Sequence, residues 1–216
     1  MRKSHMSEKN IIIFDKLADQ YDQWFDEHHA VFLSELSALK KVVPENGDGL
    51  EVGVGTGRFA AALKIKTGID PSSAMQVIAK SRGIDVYQGV AESLSFSDNH
   101  FDFVLLVTTL CFIDDVQRAF LEIRRVLKPN GVFVIGDIDR NSPLGQSYES
   151  KKQENPFYQN AHFYSTEEIL QLLKKTNFKK PLIYQTIFSP IKNIKSPEAV
   201  MDGYGKGGFV VIKSNK

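Results

Sequence analysis

The stretch "LEVGVGTGRF", residues 50–59, carries glycine at every second position: Gly53, Gly55 and Gly57. A short apolar run leads in, and a helix-compatible run, "RFAAALK", leads out. Strand, glycine turn and helix make up the layout of a nucleotide-binding turn, because missing side chains let the backbone approach a ligand and take up φ > 0. The same glycines are compatible with a tight strand-to-helix turn that binds nothing. A dinucleotide fingerprint has Gly at its first, third and sixth positions. Counting from Gly53, the sixth position is Arg58, whose bulk blocks the close helix packing served by the last glycine. The pattern here is instead acid-x-Gly-x-Gly-x-Gly, from Glu51 to Gly57, with Thr56 inside it.

Working outward, "GID" ends a second apolar strand at Asp70, followed by Pro71 and Ser72. An acid at this place accepts hydrogen bonds from both hydroxyls of an unphosphorylated ribose. It also suits the N-cap of the helix "SAMQVIAKSRG", a role open to Ser72 as well. That helix closes at Gly83, in the C′ position. "DVYQGV" and the long apolar "FDFVLLVTT" read as strands, the second one buried. "VQRAFLEIRRVLK" is an amphipathic helix stopped by Pro129-Asn130-Gly131, and "VFVIGDI" is a strand. Residues 49–138 thus alternate strand and helix about five times, which predicts a doubly wound parallel α/β sheet. "STEEILQLLKKTNF" has a capping pattern from Ser165 to Glu168. "PLIYQTIFSPI" and "GGFVVIKS" form a closing antiparallel pair. The expected fold is a mostly parallel, seven-stranded Rossmann-like sheet with helices on both faces and a C-terminal antiparallel strand pair. Ahead of it, "FDKLADQYDQWFDEHHAVFLSELSALKKVV" (14–43) reads as helix from its three- and four-residue apolar spacing. Residues 139–163 read as irregular, polar and aromatic.

The 216 residues, 42% of them hydrophobic, fit one sizeable core. A net charge of +1 points to neither nucleic acid nor an anionic membrane. Residues 151–216 nevertheless hold eleven lysines against five acids. A solvated lysine face and a site for an acidic substrate or partner both fit. The single cysteine, Cys111, lacks a disulfide partner and metal-ligand spacing, so a cytoplasmic location is expected. No apolar run approaches the 18 residues of a membrane span, and "MRKSHMSEKN" lacks the apolar region of a signal peptide.

"LEVGVGTGRF", "GIDPSSAM", "GVAESLSF…FDFVLL" and "FLEIRRVLKPNG", in this order, resemble the class I S-adenosylmethionine-dependent methyltransferases, in the type 11-like branch acting largely on small molecules. The resemblance extends to "FDKLADQYDQWF" and "FYSTEEILQLLKKTNF" and covers roughly residues 14–180. It implies S-adenosylmethionine as the cofactor and no metal. It implies that Glu51, Gly53, Gly55, Thr56 and Gly57 cradle the methionyl and ribose parts, and that Asp70, with Pro71 beside it, holds the ribose diol. Ala91 and Glu92 flank the adenine, Val107 and Thr108 meet the methionyl amino end, and Tyr21 lies on a helix closing over the cofactor. Residues 1–48 become an N-terminal helical cover on a cofactor-binding α/β domain, 49–216. The sequence departs from the pattern in three places. Val90 stands where many relatives have an acid, Ser95 replaces a frequent proline, and the Gly57–Ile65 stretch is short.

A sulfonium methyl is already electrophilic, so the protein must align a nucleophile and exclude water. A base is required only for a nucleophile that arrives protonated. His28, His29 and His162 are the candidates, with solvent-exposed surface histidine as the alternative. Trp24, Phe25, Phe112, Phe157 and Tyr158 suit an aromatic pocket, with plain core or interface packing as the alternative for Trp24 and Phe112. The expectation is methyl transfer to a small-molecule acceptor through N or O, by a monomer or homodimer. A nicotinamide-dependent oxidoreductase and a non-catalytic S-adenosylmethionine-binding regulator are the competing readings.

Overall fold

The computed structural model describes residues 8–216. Its frame is an eight-stranded sheet in the order β3-β2-β1-β4-β5-β8-β6-β7. The strands are β1 (Gly49–Val52), β2 (Thr67–Asp70), β3 (Asp85–Gln88), β4 (Phe101–Val107), β5 (Leu127–Ile138), β6 (Lys179–Thr186), β7 (Met201–Asp202) and β8 (Phe209–Asn215). β1 to β5 pair in parallel; β8 enters antiparallel between β5 and β6. The sequence predicts seven strands. The eighth, β7, is a two-residue edge piece paired with Tyr184 and Gln185, too short to leave a periodic signal.

β4 shows why both faces are covered. Phe103, Leu105 and Val107 point into a core shared with Phe32, Leu36, Phe59 and Ala79. Val104 and Leu106 point into the opposite core, with Phe120, Ile123, Ile169 and Leu173. Side chains alternate along a strand, so a run that is apolar throughout must be buried twice. One face carries α3 (His29–Lys40), α4 (Arg58–Ala62) and α5 (Ser73–Ser81); the other carries α6 (Val116–Val126) and α8 (Thr166–Lys175). α8 begins with the expected capping box between Ser165 and Glu168.

Two expectations about helices need correction. Residues 14–43 are not one helix. They fall into α1 (Glu8–Lys16), α2 (Ala18–Glu27) and α3. The backbone leaves helical geometry at Leu17 (ψ 22°) and at His28 (ψ 41°), where the imidazole Nδ1 lies 3.0 Å from the Trp24 carbonyl. Such local side-chain bonds compete with the helical ladder. Residues 139–163 are not wholly irregular either: α7 (Pro143–Lys151) lies within them. The Ser142 hydroxyl accepts from the Gly145 N–H at 3.0 Å, and Pro143 occupies the first helical position, a start signal present in the sequence.

Candidate functional site

The strand order reverses between β1 and β4, and ligands of open α/β sheets sit beyond the strand carboxyl ends at such a point. There the structure has a cleft of about 670 Å³. Of the residues predicted to bind cofactor, Tyr21, Gly53, Gly55, Asp70, Pro71, Ala91, Glu92 and Thr108 line it, together with Val90, Thr109 and Phe112.

The loop geometry follows from its residue types. Gly53, Gly55 and Gly57 have φ of 70°, 52° and 80°, all left-handed. At Gly53 a Cβ would also overlap the side chain of Thr109, whose hydroxyl donates to the Val107 carbonyl at 2.9 Å. Gly57 opens α4, and a Cβ there would press on Ala79 at 3.1 Å. Thr108 has φ of 44°, a strained value for a β-branched residue, held by the bond from its N–H to the Gly136 carbonyl at 2.8 Å.

Asp70 ends β2 and is buried. One carboxylate oxygen accepts from the Gly55 N–H at 2.8 Å and the other from the Ser72 N–H at 2.9 Å. Burial pushes its pKa up to about 6 against those two bonds. A carboxylate oxygen accepts two hydrogen bonds, so each keeps a lone pair free for the cleft. Ser72, not Asp70, caps α5, accepting from the Met75 N–H. A second acid joins them: Asp15 of α1 accepts from the Ser72 hydroxyl at 2.7 Å and the Ala74 N–H at 3.1 Å.

Four predicted cofactor residues stand off the cleft wall: Glu51, Thr56, Gly57 and Val107. Glu51 is buried behind the loop, its pKa raised well above the carboxylate range by desolvation and lowered in part by the Ala60 N–H at the start of α4. Its Oε2 has no partner. Glu92 reaches the cleft, but its carboxylate is committed to the Asp114 and Asp115 N–H groups at 3.1 and 3.3 Å.

Arg58 also has a job the glycine spacing does not reveal. It pairs with Asp22 and Asp26 of α2, both at 2.7 Å, while Arg82 pairs with Asp22 at 2.7 Å and donates to the Thr56 carbonyl at 2.7 Å. Burial opposes the Asp22 charge, yet the two guanidiniums hold its carboxyl far below the usual range. The clamp ties α2 to the glycine loop and sets Tyr21 beside the cleft.

A second cavity of about 1190 Å³ adjoins the first. Tyr21 and Thr108 line both. The second is walled by Trp24, Phe25, Tyr148, Phe157 and Tyr158 and contains Glu35 of α3. Phe112 lines the first cavity and stacks on Tyr158 of the second, with ring centroids 6.1 Å apart.

None of the three candidate histidines lines either cavity. His28 stacks on Trp24 with ring centroids 4.5 Å apart, His29 is exposed at the start of α3, and His162 is exposed with its ring edge-on to Tyr164. Their segments come near the site while the imidazoles turn away. The lysines of residues 151–216 are exposed or half-buried and line neither cavity, as a solvated face requires.

Residues 50–135 match a family model described as a methyltransferase domain. A protein of Methanocaldococcus jannaschii of unassigned function is 47% identical over 94% of this chain and 98% of its own length. A solved structure from Thermotoga maritima, described as an S-adenosylmethionine-dependent methyltransferase and possible histamine N-methyltransferase, is 46% identical. It covers 94% of this chain and 98% of its own, with a TM-score of 0.92. The chain belongs to the S-adenosylmethionine-dependent methyltransferases. The methyltransferase shares its fold more widely: a putative methyltransferase of Haloferax volcanii, 20% identical over 94% of this chain and 96% of its own, superposes with a TM-score of 0.71. S-adenosylmethionine is its cofactor, and the nicotinamide reading falls. The cleft fits that group: glycine turns open its wall, Asp70 offers free acceptor positions, and no phosphate-binding cation lines it among the described residues. No helix among those residues is long and apolar enough to cross a membrane.

Proposed function

We propose that this methyltransferase transfers the methyl group of S-adenosylmethionine to a small-molecule acceptor through nitrogen or oxygen. One observation carries the reading: the cleft at the switch point and a separate aromatic cavity meet at Tyr21 and Thr108. Bound in the cleft, S-adenosylmethionine supplies a methyl carbon made electrophilic by its sulfonium. Asp70 accepts from the ribose hydroxyls, Gly53 and Gly55 let the backbone approach the ligand, and Val90, Ala91 and Pro71 border the adenine. Thr108 faces the methionyl end, and Val107 stands behind it, off the cleft wall. The aromatic cavity receives the acceptor and keeps water from the reacting atoms. A nitrogen acceptor agrees with the description of the Thermotoga maritima relative.

Helices α1 and α2 are assigned as a cover over the cleft, with the Asp15 and Arg58 contacts as its latches; the first seven residues of the expected cover, 1–48, lie outside the described residues, and α3 packs on the sheet instead. Calorimetry with S-adenosylhomocysteine and with NAD tests the cofactor site, and binding of NAD alone would reverse the assignment. A methyl-transfer screen over amines, phenols, carboxylic acids and thiols, detecting S-adenosylhomocysteine, tests the acceptor. Turnover confined to thiols or to macromolecules would overturn the acceptor reading.

A further inference from the structure

Glu35 lies on the apolar stripe of α3, among Phe32, Leu36 and Leu39, where a carboxyl is out of place. It is only 6% exposed, yet it lines the aromatic cavity. Among the described residues it has no hydrogen bond and no ion pair. A carboxylate buried without a partner is destabilising. The fold tolerates it at the wall of a cavity, where a ligand can supply the missing partner.

The surrounding chemistry defines that ligand. The titratable groups facing Glu35 are Tyr21 from α2, Tyr148 from α7 and Tyr158 from the 155–158 segment, with Glu27 further out on the cavity wall. Burial raises all three phenols, so they stay neutral. No lysine, arginine or histidine lines the cavity among the described residues. An anionic acceptor would find no counter-charge there. A cation finds the faces of Trp24, Phe157, Tyr148 and Tyr158, which attract ammonium groups.

We propose that Glu35 selects and deprotonates the acceptor, and that the acceptor is a primary or secondary amine, arriving as its ammonium ion on an apolar or aromatic body. This rests on reading the aromatic cavity as the acceptor site. An ammonium has no lone pair. Glu35 accepts one N–H proton, and the freed nitrogen lone pair forms the C–N bond. The C–S bond breaks with its electrons going to sulfur, which leaves neutral S-adenosylhomocysteine and a methylated ammonium. Burial alone lifts the Glu35 pKa to about 8, so near neutral pH the group is held as its acid until an incoming ammonium displaces that proton and leaves the carboxylate that acts as base.

The test is calorimetry on the full chain saturated with S-adenosylhomocysteine. The probes are three molecules of one shape: phenethylamine, 2-phenylethanol and 3-phenylpropionate. The amine should bind at least tenfold more tightly than either of the others. At pH 7, binding of the amine should release about one proton, read from buffers of different ionisation enthalpy, because protonated Glu35 and the ammonium end up sharing one proton fewer. Glu35→Gln should lose that release and the amine preference, while keeping its affinity for S-adenosylhomocysteine and 2-phenylethanol. If wild type binds phenethylamine no better than the alcohol or the acid, the proposal fails without any variant. Unchanged amine binding and proton release in Glu35→Gln would also overturn it. Failure of wild type to bind S-adenosylhomocysteine would instead overturn the functional reading beneath it.

Discussion

The two cavities that meet at Tyr21 and Thr108 are built in opposite ways. The cofactor cleft is made of backbone: left-handed glycines after β1, a strained Thr108 after β4, and one carboxylate fixed by two N–H groups. The aromatic cavity is made of side chains contributed by α2, α3, α7 and the 155–158 segment. A backbone-built site tolerates little change, because turn geometry has few solutions. A site built from side chains can be re-lined while the frame stays, so one methyltransferase frame can take up different acceptors.

The largest effect should come from breaking the backbone side. Gly53→Ala combines left-handed strain of about 1–3 kcal/mol with overpacking against Thr109 of similar size. It should lower stability by about 2–5 kcal/mol and abolish S-adenosylhomocysteine binding. Gly55→Ala should lose less, since its Cβ meets only Tyr21, at 3.7 Å. Equal melting temperatures for the two variants would break the comparison.

Next is Asp70→Ala. A charged acceptor bonded to a hydroxyl contributes about 1.5–3 kcal/mol, so affinity for S-adenosylhomocysteine should fall roughly 10- to 150-fold. Because the Gly55 and Ser72 N–H groups lose their acceptor too, the variant should also melt lower. Asp70→Asn keeps one acceptor oxygen and should lose less of both. Wild-type affinity in a destabilised Asp70→Ala protein would reduce Asp70 to a loop brace.

Arg58→Ala should cost roughly 1–2 kcal/mol after allowance for the exposure of Asp26. Amide exchange in α1 and α2 reads its effect on the cover. Exchange there should slow in wild type when S-adenosylhomocysteine is added and respond less in the variant. Protection that is unchanged by ligand would count against a moving cover.

The most gradual effect is with pH. Glu35, Asp137 and Asp70 have folded pKa values raised by burial to about 8, 7 and 6. Their ordinary values are 4.5 for Glu and 3.8 for Asp. Groups raised in the folded state stabilise it below their ordinary values and lose that contribution as pH rises through the folded ones. The melting temperature of the ligand-free protein should therefore fall between about pH 4 and pH 8, with no single steep step. Glu35→Gln should flatten the upper part of the slope and Asp70→Asn the lower part. A rising melting temperature over that window would overturn the assignment of these acids as buried without compensating charge.

The sequence was most legible where function depends on backbone. Glycines on alternate positions require φ > 0 over a few adjacent residues, and Asp70 follows at a strand end, so loop, sheet and cofactor class could be read from neighbouring letters. The capping box at Ser165–Glu168 and the Ser72 cap were legible for the same local reason. The Ser142-Pro143 start of α7 is equally local, but it stands inside a polar, aromatic stretch whose composition reads as irregular. Glu35 left only a faint trace, an acid on an apolar helical stripe. The histidines qualify as base candidates by residue type, but the direction in which an imidazole ring points is not written in its sequence neighbours.

What the sequence determined by itself was the alternation of strands and helices, the glycine turn, the acid at the end of β2 and so the methyltransferase frame. Each rests on interactions spanning a few residues, where local geometry leaves one solution. Only the tertiary structure decided that Arg58 and Arg82 clamp α2 through Asp22, that Asp15 reaches the start of α5, and that Glu35 faces tyrosines from three other segments. Those relations join residues far apart in the chain. Burial, which raises the Glu35 pKa, exists only once the segments have packed.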